Sequence, residues 1–138
     1  MIKVIFLVFL FLLLPLREER PPLLQVNDFP LIIEVVSKRE DRVKGLSGRE
    51  YLPKGEAMLF VFEEEGRHSI WMKDMYFSID IIWISKEGEV IYIKEEVSPE
   101  TFPEAFSPKE KAKYVLETNA GFVKKVNLKV GDKIEINF

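Results

Sequence analysis

Two carboxylates stand inside apolar runs of this sequence: Asp80 in "SIDIIWI" and Glu117 in "YVLETN". A carboxylate buried without a partner is costly, so each implies either a partner or a task. If the two face one another across a sheet, a carboxyl pair of this kind suits acid–base work such as glycoside hydrolysis. If they do not, each is explained by an ion pair or by backbone N–H groups. Glu117 lies just before an expected helix start, where such N–H groups are free. Arg49 and Lys73 are the candidate anion holders, or else the partners that neutralise Asp80 or Glu117. Trp71, Tyr76 and Trp83 could stack on a sugar ring, with Trp83 read more simply as core. His68 is the only histidine. With Met72, Met75 and Met58 it could form a soft Cu(I) site, although Met is more often a core filler. No metal and no cofactor are expected.

Other chemistries lack their residues. Cysteine is absent, which excludes thiolate nucleophiles, disulfides, thiolate metal sites and a lipid-modified cysteine. There is no phosphate-binding glycine loop and no dinucleotide fingerprint. "GLSG", residues 45–48, lacks the spacing of a nucleophile elbow. The formal charge of −3 over 138 residues speaks against a nucleic-acid footprint. Abundant Glu and Lys with few Asn and Gln resemble a heat-adapted composition.

The chain fits a single domain with an N-terminal targeting segment. Lys3 precedes an uncharged apolar run from Val4 to Leu16, thirteen residues. As a helix this run spans about 20 Å, short of the roughly 30 Å hydrocarbon core. That length suits a signal-peptide core, yet no small-x-small cleavage site follows and Arg17–Arg20 is charged. Residues 1–20 are therefore expected to be a signal peptide or a membrane anchor, with the domain outside the cytoplasm. They carry three basic and two acidic groups, so the remaining chain is about −4 by the same count.

The elements that must position the candidates follow from periodicity and turn residues. Residues 21–30, "PPLLQVNDFP", read as a linker, and 31–138 as one β-rich domain. Strands are expected over 31–36, 57–62, 89–96 and "KYVLETN", with a last strand after the Gly131–Asp132 turn. Residues 63–67, "EEEGR", read as a solvated turn. Residues 67–72 and 78–84 read as a hairpin joined by "KDMYF", with Lys73 and Asp74 at its bend. Ser37 and Glu40 have capping-box spacing, so a helix should start at Lys38. Asn119 should cap a second short helix from Ala120 to about Asn127. Residues 97–112 read as a long loop. Short strands at close spacing imply a compact β-sandwich or barrel-like domain with two short helices.

Five pieces of the chain, "RVKGLSGREYL", "AMLFVF", "IWMKDMYFSIDIIWI", "VLETNAG" and "VGDKI", together resemble the domain of unknown function 192 family, also called uncharacterised protein family 0127. The resemblance runs from about Leu31 to Ile136. It implies a compact, mostly β domain, often exported or membrane-anchored in prokaryotes, and no known activity. It carries over Arg49, Trp71, Lys73, Asp80, Glu117 and Asp132 as candidates, the last most simply a turn residue. The chain departs from the family pattern at Ser47, Ala57, Ile70, Asp74 and Met75. The family's threonine is lost at Met75, and its loop cysteine is absent. The expected function is an extracytoplasmic binding or accessory module, with a polar site at the end of the 67–84 hairpin. The alternative is a hydrolase of an envelope polymer that uses Asp80 and Glu117. A scaffold that only packs against a partner is the third reading. The expected partner is a small molecule or envelope component, with no nucleic acid, and with membrane contact through residues 1–16 if that segment is not cleaved.

Overall fold

A computed structural model describes residues 19–138. The targeting segment expected over residues 1–20 falls almost wholly outside the described residues. Among the described residues no helix is long and apolar enough to cross a membrane.

The domain is mostly β with two short helices, as expected. Its main sheet has six strands: β1 (Leu23–Val26), β2 (Phe29–Val36), β3 (Glu56–Gly66), β5 (Ile79–Ile84), β6 (Val90–Val97) and β8 (Ala112–Asn119), in the order β1-β2-β3-β8-β5-β6. The sheet is open, with β1 and β6 as its edges. A second sheet pairs β4 (Ile70–Trp71) with β7 (Ala105–Phe106). The helices are α1 (Arg39–Lys44) and α2 (Phe122–Val126). β2 and β3 are parallel and joined across α1, while all other strand pairs are antiparallel.

The inner strand β5, "IDIIWI", is buried at every position. A strand covered on both faces reads as a continuous apolar run, which is why its sequence shows little alternation. One face of the sheet carries Leu59, Ile82, Ile84 and Leu116 under Val123, Val126 and Leu128. The other carries Met58, Phe60, Ile81, Trp83 and Val115 under Leu46, Leu52, Met72 and Met75.

Several elements differ from the sequence-based reading. The stretch expected to be a linker forms β1, a tight turn at Asn27 and Asp28, and the start of β2. Leu24 and Val26 are fully buried there, so packing overrides the flanking prolines. The 67–84 hairpin does not form. β4 pairs with β7 instead, and β5 lies between β8 and β6. Periodicity marks a strand but not its neighbour. β3 continues through the glutamates to Gly66, beyond the last β2 pairing at Val36–Phe60. Side chains meet the carbonyls of this tail. Arg42 Nη1 donates to Val61 O at 3.4 Å, Lys113 Nζ to Glu63 O at 2.7 Å, and His68 Nε2 to Glu64 O at 2.9 Å.

α1 starts at Arg39 with no side-chain cap, so Ser37 and Glu40 form no capping box. Asn119 does not cap α2 either; its amide donates to Leu52 O at 2.9 Å. The C-terminal residues form only a bridge between Glu89 and Lys133 rather than a strand.

Candidate functional site

Asp80 and Glu117 lie on adjacent strands but on opposite faces of the sheet. Asp80 is paired with Thr118, while Glu117 is paired with Ile81 and Met58. Directly opposed residues share a face and the next pair points the other way. The two carboxyls are therefore not brought together, and the acid–base pair that a hydrolase would need is not formed between them.

Asp80 is fully buried and fully engaged. Its Oδ1 accepts from Glu96 N–H at 2.8 Å and its Oδ2 from Val123 N–H at 2.9 Å. Glu96 belongs to a bulge, because the β5–β6 register steps from Ile79–Val97 to Ile81–Lys94. Two residues thus oppose Asp80, and Glu96 takes φ 51°. Val123 is in the first turn of α2, whose N–H groups have no partner within the helix. One carboxyl thus pins a bulge and caps a helix from another strand. Neither Arg49 nor Lys73 touches it.

Glu117 faces the second core. It is 5% exposed and, among the described residues, has no hydrogen-bond or ion-pair partner. Burial pushes its carboxyl up to about 8. It forms the floor of a cleft of about 360 Å³, within the range of about 300–1,000 Å³ common for small-molecule sites.

One wall is α1 and the turn after it, with Val43, Gly45, Leu46 and Ser47. Gly45 closes α1 by donating to Asp41 O at 2.8 Å, and takes φ 49° and ψ −132°. A Cβ there would stand 3.2 Å from Phe60 Cζ, so glycine permits both the turn and the close packing. The opposite wall is Ser69, Ile70 and Trp71, with Met75 and Ile79 deeper and Phe60 and Phe62 from β3. The walls are tied together. Ser47 Oγ donates to Lys73 O at 2.8 Å, and Gly48 N–H to Asp74 O at 2.8 Å. Arg39, Arg42 and Lys44 line the cleft, and no carboxylate other than Glu117 does.

The other candidates fall around this cleft or away from it. Trp71 is half exposed and lines it, with its ring 5.4 Å from that of Phe102. Lys73 does not line it; its ammonium lies 5.7 Å from the Trp71 ring centroid. Arg49 pairs with Glu34 at 2.8 Å, exposed to solvent. Asp132 accepts from Lys129 N–H at 2.8 Å within its own turn. His68 stacks on Phe62 at 3.5 Å with Nε2 on a carbonyl, and Met58 and Met72 are core residues. Met75, where the family pattern has threonine, supplies apolar surface to the cleft. Among the described residues no cluster of three or more His, Cys, Asp or Glu could hold a metal.

The basic residues of α1 were not among the sequence candidates. Their signal is the i, i+3 spacing of Arg39 and Arg42, which puts both on one side of a short helix.

An open mixed sheet with one carboxyl-floored cleft thus defines a small-molecule-sized pocket on a mostly β domain. The chain belongs to the domain of unknown function 192 family, described as "Uncharacterized ACR", whose model matches residues 24–136. It is 36% identical over 81 residues to a UPF0127 protein of Thermococcus sibiricus, an alignment covering 57% of this chain and 50% of that protein. The chain thus spans about half the length of the curated relative it matches. Its fold is similar to the crystal structure of a candidate transcription regulator from Sinorhizobium meliloti 1021, with a TM-score of 0.75 and 30% identity over 82% of this chain and 89% of that one. It is also similar to a protein of unknown function from Novosphingobium aromaticivorans, with a TM-score of 0.76 and 23% identity over 83% of this chain and 82% of that one.

Proposed function

We propose that this domain is a small-molecule binding module that works outside the cytoplasm, and that its site is the cleft over Glu117. The observation that carries this is a carboxyl 5% exposed, without a protein partner, at the floor of an apolar cleft. Among the described residues no buried side-chain oxygen lacks a hydrogen-bond partner, so the Glu117 oxygens open onto the cleft, where water or a ligand, not the chain, supplies their hydrogen bonds. The extracytoplasmic location is supported by Lys3 and the apolar run from Val4 to Leu16. Catalysis has less support, because Asp80 is committed to Glu96 and Val123 on the other face. The description of the Sinorhizobium relative would suggest DNA, and the negative charge of this chain does not favour that.

The test is an amide-resonance titration of the full chain with a mixed library of small aromatic and aliphatic fragments. Fragments that occupy the site should shift Gly45, Ser47, Ser69, Ile70 and Trp71. Glu96 and Val123, on the opposite face, should not move. Fragments that shift only residues outside the cleft, or none at all, would sink the binding reading.

A further inference from the structure

Resting on the binding reading above, we propose that the occupant is a small anionic molecule with an apolar, flat body and an uncharged hydroxyl or carbonyl group at its inner end. Three parts of the cleft carry this.

The first is the charge of α1. Arg39 and Lys44 line the cleft, and among the described residues their side chains make no ion pair or hydrogen bond. Arg42 is partly committed to the Ser37 and Val61 carbonyls and to the Phe62 ring, 4.9 Å away. Glu40 and Asp41 share α1 with these three cations but do not line the cleft, and no carboxylate other than Glu117 does. An anion is therefore attracted, and a purely cationic ligand must pass like charges.

The second is the shape and chemistry of the walls. Trp71, half exposed with Phe102 and Lys73 beside its ring, offers the rest of its indole surface, and Leu46, Ile70, Met75 and Ile79 are aliphatic or thioether. Phe62 is stacked on His68 and has Arg42 near its ring, so it contributes an edge rather than a free face. These surfaces bury an apolar body, with the hydroxyls of Ser47, which donates to Lys73 O, and Ser69 beside them.

The third is the floor. Glu117 sits between Met58 and Ile81 on its neighbouring strands. At neutral pH and below its carboxyl is mostly uncharged, so it can donate one hydrogen bond and accept another. A hydroxyl or carbonyl meets it without importing charge. An inner ammonium would need Glu117 ionised in an apolar setting, where desolvation offsets much of the pairing. An inner methyl would leave the carboxyl without a partner.

Three probes separate these cases by calorimetry on the full chain at pH 6.5. 4-Hydroxyphenylacetate has the anion and the inner hydroxyl, phenylacetate lacks the hydroxyl, and tyramine replaces the anion by an ammonium. The hydroxy acid should bind roughly ten-fold tighter than phenylacetate, the scale of one good hydrogen bond. Tyramine should bind weakest. Glu117→Leu should erase the hydroxyl preference and keep phenylacetate affinity, whereas Glu117→Gln should retain the preference. Exchanging Arg39 and Lys44 for Gln together should weaken both acids alike. The proposal is overturned if tyramine binds as well as the hydroxy acid, or if the hydroxyl preference survives Glu117→Leu. If all three probes leave the cleft amides unmoved while other fragments shift them, the ligand class is wrong and the binding reading stands. If no fragment of any class moves them, the binding reading itself has failed.

Discussion

Asp80 and Glu117 sit one register step apart on neighbouring strands, and the pleat sends them to opposite faces with opposite roles. Asp80 has two backbone N–H donors, and those bonds offset its burial. Asp80→Asn keeps one acceptor oxygen, removes the charge and turns an amide toward one of the donors. With charge-assisted hydrogen bonds each contributing about 1.5–3 kcal/mol, a loss of about 2–4 kcal/mol is expected. Denaturant unfolding measures it, and amide shifts in the cleft should stay as in the parent protein. That a carboxylate stood in apolar surroundings was legible at both positions. The partners of Asp80 were not. The sequence offered Arg49 and Lys73 because charged side chains are visible as letters. The actual donors are main-chain groups of Glu96 and Val123, which any residue but proline could supply.

The elements around the cleft depend on positions where the backbone leaves its ordinary regions. Gly45 ends α1 and lets the turn close over Phe60. Gly45→Ala puts a Cβ where φ is positive and Phe60 is 3.2 Å away. Strain of about 1–3 kcal/mol is expected, visible as a lower midpoint in thermal unfolding. The amides of Leu46 and Ser47 should shift, because the wall they belong to must move. Strands read from runs of apolar residues were largely present, including β5, β6 and β8. Their partners were misread where pairing is non-local. The "KDMYF" segment suggested a local return, but β4 finds β7 more than thirty residues later and β5 pairs along both edges, with β8 and β6. β1 was hidden by its prolines, since Leu24 and Val26 reveal their burial only once the sheet exists.

At the scale of the whole molecule, Glu117 makes stability depend on pH. Its carboxyl is raised from an ordinary value of 4.5 to about 8 by burial. Below about pH 4.5 it is protonated whether the chain is folded or not, and it has no effect. Between about 4.5 and 8 the unfolded chain releases this proton while the folded one keeps it. The unfolded state then binds fewer protons, so stability falls as pH rises through that window. The loss at its upper end is on the order of a few kcal/mol. Glu117→Gln should flatten this slope and be the more stable variant at pH 8.5, as read by denaturant unfolding at a series of pH values. An unchanged slope would mean that Glu117 titrates normally. The mostly β character was legible from strand spacing and turn residues. The parallel β2–β3 pair and the cleft beside α1 were not, because α1 carries the chain from β2 to β3 and no local pattern records that crossing.

The tail of β3 has a consequence for encounters between molecules. Where it outruns β2, a bare strand would be an invitation for a second chain to add on by main-chain pairing. Arg42 meets the carbonyl of Val61, and Lys113 and His68 meet those of Glu63 and Glu64. A second copy of the same segment would also bring Glu63, Glu64 and Glu65 against their own likeness. The strand that helps to frame the cleft is therefore guarded against fibre-like self-association by its neighbours' side chains and by its own charge.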